Sequence, residues 1–283
     1  MPDLSVIVIT YNEEKNIEAC LKSVQGLASE IYIVDSFSSD GTLSIAERYK
    51  AKVCRHEFKT HACQWQWALQ HLPLQTEWVL ALDADQRLSN ELRDEICLFF
   101  NQNISDYDGI YINRRNYFFG KWIRYGGYYP KYMLKLFRRS KVFMDPSEYV
   151  DAHFYLNSGK VLCLKNDLIE ENLKDDRLAV WIDKHKKYAK LQAREEYEVT
   201  CSGGRKWPVE PRMAGNPNER TLWLKKGWYA SPRYLRAFIY FFYRFFIRLG
   251  FLDGFAGVIF HVLQGLWYRL LIDYYIGQIK RTS

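Results

Sequence analysis

Two aspartates separated by one residue stand at the end of a strongly apolar segment. Asp83-Ala84-Asp85 follows the run Trp78-Val79-Leu80-Ala81-Leu82, which is typical of a buried β-strand. Carboxylates this close together repel each other, and each loses hydration when it is partly buried. A divalent cation removes the repulsion, and hard oxygen ligands suit Mg²⁺ or Mn²⁺. The pair therefore predicts a metal site in which water and a ligand phosphate complete the coordination.

The segments around this pair predict alternating strands and helices. Buried-strand patterns occupy residues 4–9, 31–34 and 77–82 with a short strand at 52–55, and helical patterns occupy 17–24, 42–50 and 61–71. This order predicts an α/β fold with a doubly wound, mostly parallel sheet flanked by helices. Ligands bind at the carboxyl ends of the strands in such sheets. Asn12, Asp35 and the aspartate pair should therefore meet at one rim.

The second half of the chain has a different character. Strand patterns at 107–113 and 132–138 flank an aromatic stretch, and residues 175–198 are a polar helical segment. Residues 202–220 are rich in Gly, Pro and charge, which indicates a linker or a mobile loop. We therefore divide the chain into a main domain over 1–200, a linker or mobile loop over 201–232, and amphipathic helices over 233–283.

Aromatic and basic residues are concentrated at the end of the chain. The last 53 positions hold 15 of the 47 aromatic residues, and seven Lys or Arg against Asp253 and Asp273. This pattern favours peripheral contact with a membrane surface and disfavours nucleic acid. The 15 uncharged residues between Asp253 and Arg269 are fewer than the roughly 18–20 that a spanning helix needs. The alternative is a helical pair packed on the main domain or on another subunit of a homo-oligomer.

The cysteines and the N-terminus bear on the cellular compartment. The six cysteines are scattered without a CxxC pair, which favours free thiols in a reducing cytosol. The N-terminus lacks the charged segment and cleavage site of a signal peptide. We expect a cytoplasmic protein at the inner face of the cell membrane.

Several stretches resemble a known enzyme family. LSVIVITYNEEKNIEACLKSV, IYIVDSFSSDGT and WVLALDADQRLS together resemble the inverting family 2 glycosyltransferases with the GT-A fold. NRRNYFFGKWIRYGGYYPKYMLKLFRR and RLGFLDGFAGVIFHVLQGLWYRLLID look like the bacterial subgroup related to lipopolysaccharide-core glucosyltransferases. The resemblance implies that a nucleotide diphosphate sugar, with a UDP-sugar as the expected donor, gives its sugar to a glycan or lipid-linked acceptor with inversion.

The resemblance also implies roles for donor-side residues. Thr10, Tyr11 and Glu13 would border the nucleobase and ribose, and Asn12 would shape their loop. Asp35 would hold the uracil, and Ser36 would shape the adjoining loop. Asp83 would contact the ribose or the metal, and Asp85, after Ala84, would ligate the metal on the diphosphate. Arg114 is a separate candidate for contact with the diphosphate. Simpler explanations exist for some of them, since Asp35 could cap the next helix and Arg114 could flank a strand end. Gln86 departs from the acidic residue more common after this motif.

The catalytic base is less clearly marked. An inverting displacement needs a carboxylate that takes the proton of the acceptor hydroxyl. In DPSEYVDAHFYL, Ala152 stands where the resemblance predicts glutamate, so Asp151 is the first candidate and Glu148 the second. Glu170-Glu171-Asn172 is a second departure from the family pattern, which has His-Glu-Asn there.

Aromatic residues near glycines are candidates for the acceptor site. Trp122, Tyr128 and Tyr129 lie in a predicted loop, and aromatic rings stack on sugar faces. Two other functions stay open. Transfer to polyprenyl phosphate would need no strong base, because that acceptor is already anionic. A non-catalytic protein that binds nucleotide sugars as a membrane scaffold would bind donor without turnover.

Overall fold

The computed structural model describes residues 2–102, 106–150, 152–175, 177–201 and 206–282. The first part alternates strands and helices: β1 (Leu4–Thr10), α1 (Ile17–Val24), β2 (Glu30–Asp35), α2 (Thr42–Arg48), β3 (Lys52–Arg55), α3 (His61–His71), β4 (Trp78–Asp83), β5 (Gln86–Leu88) and α4 (Asn90–Phe100). Helix α3 begins where Thr60 accepts a hydrogen bond from the Cys63 N–H, and α4 begins at an equivalent Ser89 cap. The bounds predicted for α3 are confirmed.

Further strands and the C-terminal helices follow. The strands are β6 (Gly109–Phe118), β7 (Lys121–Trp122), β8 (Tyr132–Arg138), β9 (Val142–Met144), β10 (Phe154–Leu156) and β11 (Val161–Glu171). The helices are α5 (Leu178–Cys201), α6 (Pro217–Ala230), α7 (Leu235–Phe242), α8 (Gly254–Phe260) and α9 (Tyr268–Thr282). A π-helical turn, Tyr243–Ile247, extends α7, and a second π-helical stretch joins α8 to α9.

The main sheet has parallel strands on one side and antiparallel strands on the other. Its order is β3-β2-β1-β4-β8-β6-β11-β5, with β7 paired to β6. Strands β3, β2, β1 and β4 run parallel, whereas β8 pairs antiparallel with both β4 and β6. Apolar side chains fill both faces, with Val6 and Val8 on one and Ile7 with Trp65 of α3 on the other. The predicted α/β class is confirmed.

The chain divides into two units. The sheet unit comprises Met1–Arg115, Tyr132–Pro146 and Ala152–Lys174, and the helical unit comprises Asn116–Lys131, Ser147–Asp151 and Asp175–Ser283. Helix α5, which lies within the predicted main domain, belongs to the helical unit together with the C-terminal helices. The reason is packing, since Ala189 and Ala193 of α5 lie buried against Tyr268, Ile272 and Ile276 of α9.

The predicted linker over 201–232 contains a regular helix. Helix α6 begins with a capping box in which the Asn216 side chain accepts from the Glu219 N–H and the Glu219 carboxylate accepts from the Asn216 N–H. Pro217 occupies the first helical position, where its missing N–H costs no hydrogen bond. The glycine and proline content of the segment concealed this helix start.

A buried ionic cluster lies inside the helical unit. Arg236 forms ion pairs with Glu196 and Asp273, and all three side chains are at least 97% buried. Asp273 also accepts from the Tyr234 N–H at 2.7 Å, and Arg236 donates to the Trp228 carbonyl at 3.2 Å. Burial raises the pKa of Glu196, and Arg236 opposes that increase. The arginine therefore keeps two buried carboxylates compatible with the fold.

The helical unit also contains an apolar run of notable length. Among the described residues, Gly250–Arg281 is the one helical run long and apolar enough, by length and composition, to cross a membrane.

We expect Arg236→Met to lower the free energy of unfolding by about 3–5 kcal/mol at pH 7, because it leaves two buried carboxylates without their cation. In this variant the arginine no longer opposes the burial that raises the pKa of Glu196. Stability should therefore be partly regained below the unfolded pKa of about 4.3 and lost as pH rises above it. Urea denaturation followed by circular dichroism at pH 4 and pH 7 measures both effects. Arg194→Met, at an exposed α5 ion pair, is the matched control. Equal losses in the two variants would contradict the expectation.

Candidate active site at the strand ends

The carboxyl ends of β2, β1 and β4 lie side by side. In the parallel register Thr10 pairs with Asp35, and Ile9 pairs with Asp83. The structure therefore brings Thr10, Asp35 and Asp83 to neighbouring positions at one rim of the sheet unit, as expected of parallel strands.

A hydrogen-bonded loop surrounds Asp35. Its buried carboxylate accepts from the Thr10 hydroxyl at 2.8 Å and from the Ser38 N–H at 2.8 Å, and Ser38 Oγ also donates to it. These bonds close the turn after β2, where Phe37 has φ 62°. The adjoining Ser36 Oγ accepts from the buried Gln64 side chain at 3.1 Å. Asp35 therefore fixes the loop that it borders.

The loop after β1 docks on this turn. Asn12 adopts φ 53°, its N–H donates to Ser38 Oγ at 2.8 Å, and its side-chain oxygen accepts from the Ser39 N–H at 2.8 Å. The left-handed conformation is one that asparagine tolerates better than most residues. The neighbouring Tyr11 ring is 57% exposed, so it lies at the rim and outside the apolar core.

Glu13 is held by a lysine that sequence reasoning did not identify. Lys174 forms an ion pair with the Glu13 carboxylate and donates to the Tyr11 carbonyl at 3.0 Å. Asn16 donates to the other Glu13 oxygen at 2.7 Å. Lys174 lies 161 residues from Glu13, so only the fold reveals the pair.

The two oxygens of Asp83 face two different donors. His61 Nε2 lies 3.0 Å from Oδ1, and Lys135 Nζ lies 2.9 Å from Oδ2. Burial alone would raise the pKa of Asp83, but Lys135 and His61 outweigh it and hold the pKa well below its usual range. Asp83 is therefore a carboxylate at neutral pH, and its charge is balanced by the protein.

Asp85 lies in a different environment. It borders a cleft of about 190 Å³ in the sheet unit, together with Asn16, Ala84, Gln86 and Glu171. Its negative charge is also felt by Cys20, since burial first, and then Asp85 and Asp83, raise the pKa of that thiol. Cys20 therefore stays protonated and is unsuited to act as a nucleophile.

The hydrogen bonds of Gln86 account for its departure from the family pattern. Its side-chain oxygen accepts from the Asp83 N–H at 3.1 Å, and its amide donates to Glu170 at 2.7 Å. A carboxylate at this position would have no hydrogen to donate and would repel Glu170. The other Glu170 oxygen accepts from Arg114 at 2.7 Å. Arg114 thus has a structural partner in addition to its predicted contact with the diphosphate.

Of the two candidates for the catalytic base, the structure describes only one. Asp151 lies outside the described residues. Glu148 belongs to the helical unit, where its side chain is 3% exposed and lies 3.8 Å from Lys225 Nζ. It lines a small pocket with Trp207, Leu222 and Tyr229. These surroundings are consistent with a structural ion pair.

The acceptor-side aromatics belong to the helical unit. Trp122 and Tyr129 meet edge to face, with ring centroids 5.1 Å apart, and both are partly exposed. The ring of Tyr128 packs against the Arg244 guanidinium at 3.7 Å and Phe260 at 4.7 Å. Packing therefore accounts for Tyr128, and Trp122 and Tyr129 stay predicted acceptor-site residues.

Comparisons with known proteins give the following matches. A 105-residue stretch is 39% identical to an uncharacterized glycosyltransferase of Rickettsia bellii, covering 37% of this chain and 35% of that protein. A 157-residue stretch is 31% identical to the lipopolysaccharide core biosynthesis glycosyltransferase LpsC of Rhizobium meliloti, covering 52% of this chain and 55% of that protein. The alignments thus span about a third of the Rickettsia relative and about half of LpsC.

Solved structures give a weaker likeness. Staphylococcus aureus TarS matches over 96% of this chain and 52% of its own, with 17% identity and a TM-score of 0.45.

The family assignment comes from the sheet unit's sequence. The model of glycosyl transferase family 2 matches residues 5–158, which include β1, β2, β4 and the aspartate pair. This match covers more than half of the 283 residues, and the chain therefore belongs to glycosyl transferase family 2.

Proposed function

We propose that this chain is a metal-dependent, inverting glycosyltransferase. It would move a hexose from a nucleotide diphosphate sugar, with UDP-sugars as the expected donors, to a bacterial surface glycan or lipid-linked acceptor. The observation that carries the proposal is the rim of the sheet unit. There, Thr10, Asp35 with its loop, and Asp83-Ala84-Asp85 end three adjacent parallel strands of a family 2 domain.

The rim supports a division of roles on the donor side. Asp35, Thr10 and Asn12 form a rigid hydrogen-bonded loop suited to a nucleobase, and the exposed Tyr11 ring offers it a stacking face. Glu13, held by Lys174, borders the same loop. The residues proposed to contact the nucleobase and ribose are thus held in place before the donor binds. This reduces the entropic cost of ordering them on binding.

The aspartate pair fits a divalent cation of the Mg²⁺ or Mn²⁺ type. Within the described part of the chain, no three His, Cys, Asp or Glu side chains form a cage, so few protein ligands are offered. Such cations accept one or two carboxylates and complete their shell with water and phosphate. Asp85 borders the cleft of the sheet unit, whereas both Asp83 oxygens face donors, so we assign the direct contact to Asp85 and an orienting role to Asp83. Bound there, the cation would neutralise the departing diphosphate.

Asp151 is our first candidate for the base and Glu148 the second. The burial of Glu148 beside Lys225 favours Asp151. A polyprenyl phosphate acceptor stays the alternative within the enzyme class, because it removes the need for a strong base.

We propose that the reaction takes place at the cytoplasmic face of the cell membrane. The described cysteines Cys20, Cys54, Cys63, Cys97 and Cys163 are free thiols, which fits a reducing compartment. The similarity to LpsC supports an acceptor related to the lipopolysaccharide core.

We expect Asp85→Asn to reduce Mn²⁺-dependent release of nucleotide diphosphate by about 100-fold or more, because the amide is a poor cation ligand that carries no charge. The measurement is release of UDP or GDP from a panel of UDP- and GDP-hexoses, with and without a lipopolysaccharide-core acceptor. Asp94→Asn, at an exposed carboxylate of α4, is the matched control. Release by Asp85→Asn at the wild-type rate would refute the assignment. Donor binding without turnover on any acceptor would instead favour the scaffold function.

We expect Lys135→Met to weaken donor binding about 10-fold at pH 7 and to move the acid limb of the binding profile to higher pH. The lysine is the main group that lowers the pKa of Asp83, so burial would raise that pKa in its absence. In the wild type this carboxylate contributes stability above its unfolded pKa of about 3.9, and loses that contribution as pH falls further. Thermal shift with UDP and Mn²⁺ between pH 5 and pH 8 measures the change. The control is Lys141→Met at an exposed lysine. An unchanged pH profile would contradict the role of Lys135.

A further inference from the structure

The C-terminal helices present their apolar side chains to the outside. Along α7 and its π-helical extension, apolar residues recur at helical spacing on the exposed face: Leu235, Phe238, Ile239, Phe242, Tyr243, Phe246 and Ile247. The opposite face carries Arg236 and Ala237, and both are buried. A helix on a water-soluble protein normally shows the reverse arrangement. The exposed stripe therefore requires an apolar partner.

The stripe continues into the turn that follows. Leu249, Phe251, Leu252 and Phe255 are all exposed, and Phe255 is 83% exposed. Together, the exposed apolar side chains of residues 235–255 form a run longer than the scattered apolar residues found on most protein surfaces. We call this surface the apolar face.

The exposed charges in the C-terminal part of the chain have one sign. Residues 220–283 contain ten Lys or Arg and two acids, Asp253 and Asp273. Both acids are buried, since Asp273 pairs with Arg236, and Asp253 accepts from the backbone N–H groups of Arg124 and Tyr125. The exposed charges over the described residues 220–281 are therefore all positive: Arg220, Lys226, Arg248, Lys280 and Arg281.

We propose that the apolar face docks parallel to the surface of an anionic lipid bilayer and enters one leaflet. Aliphatic and aromatic side chains would enter the acyl boundary, and Arg248 would reach the headgroup phosphates. Cationic groups near an anionic leaflet add to this binding. A second copy of the chain fits less well, because it would bring further charges of the same sign to the contact.

The packing of α9 favours docking over spanning. The helical run Gly250–Arg281 uses one face to contact α5 through Tyr268, Ile272 and Ile276. Helix α5 carries exposed charges at Asp183, Lys186, Lys187, Lys190 and Arg194. If α9 crossed the bilayer in this packing, those charges would enter hydrocarbon or α5 would have to detach. An in-plane orientation keeps α5 in water.

The test is flotation of the full chain with vesicles, and it needs neither donor nor acceptor. The inference goes beyond the transfer reaction but rests on the proposed membrane location. Vesicles of phosphatidylcholine alone and of phosphatidylcholine with 30% phosphatidylglycerol are compared at low and high salt. We expect the wild type to bind the anionic vesicles at least 10-fold more tightly than the neutral ones. Binding should be partly lost in high salt.

The decisive variant changes three side chains of the apolar face. We expect Phe238→Ser, Phe242→Ser and Phe246→Ser together to reduce vesicle binding at least 10-fold. The control triple changes exposed apolar residues elsewhere, Phe58→Ser, Leu98→Ser and Leu191→Ser, and should bind as the wild type does. Arg248→Gln should weaken binding to anionic vesicles only. The triple variant should keep the donor-dependent rise in melting temperature. That result would separate loss of docking from loss of the fold or of donor binding.

Two outcomes would overturn the inference. The first is equal flotation of the wild type and the apolar-face variant. The second is a wild-type dimer in sedimentation that the three substitutions dissociate while vesicle binding is unchanged, which would assign the face to a second copy.

Discussion

The candidate site depends on how the chain tolerates a carboxylate at the end of its central strand. Asp83 lies between Lys135 of β8 and His61 of α3, so one side chain joins three elements of the sheet unit. Lys135 and His61 therefore stabilise a partly buried negative charge at the end of β4. Gln86 extends this arrangement, since its amide links the Asp83 backbone to Glu170 and, through it, to Arg114. The rim is therefore held in place by hydrogen bonds and ion pairs between several elements of the sheet unit.

The helical unit distributes polarity in the opposite way. Its interior holds Arg236, Glu196 and Asp273, while large apolar side chains of α7 face outward. Paired charges inside are compatible with folding because each hydrogen-bonding group finds a partner. Apolar groups outside lower the free energy only when they are covered. Both observations belong to the same unit, and they are the basis on which we propose that it docks at a lipid surface.

Local sequence signals predicted the elements, and contacts distant in sequence escaped them. The spacing of apolar residues located α3 and the strands that end at Asp35 and Asp83, because burial patterns are local. The partners of Asp83 and Glu13 could not be found in this way, since Lys135 lies 52 positions from the first and Lys174 lies 161 from the second. A lysine in the interior of the apolar stretch YMLKLFRR was the one available signal. Periodicity also predicted amphipathic C-terminal helices, but it does not say which face is turned outward.

A set of contacts links the segment that carries Trp122 and Tyr129 to the C-terminal helices. The Asp253 carboxylate accepts hydrogen bonds from the N–H groups of Arg124 and Tyr125. The His261 ring lies 3.1 Å from the same carboxylate. Gly126 has φ 66°, and a Cβ at that position would collide with the His261 ring. These contacts attach the aromatic segment to the end of the apolar face, so docking of that face as proposed would also place Trp122 and Tyr129 at a fixed distance from the bilayer surface.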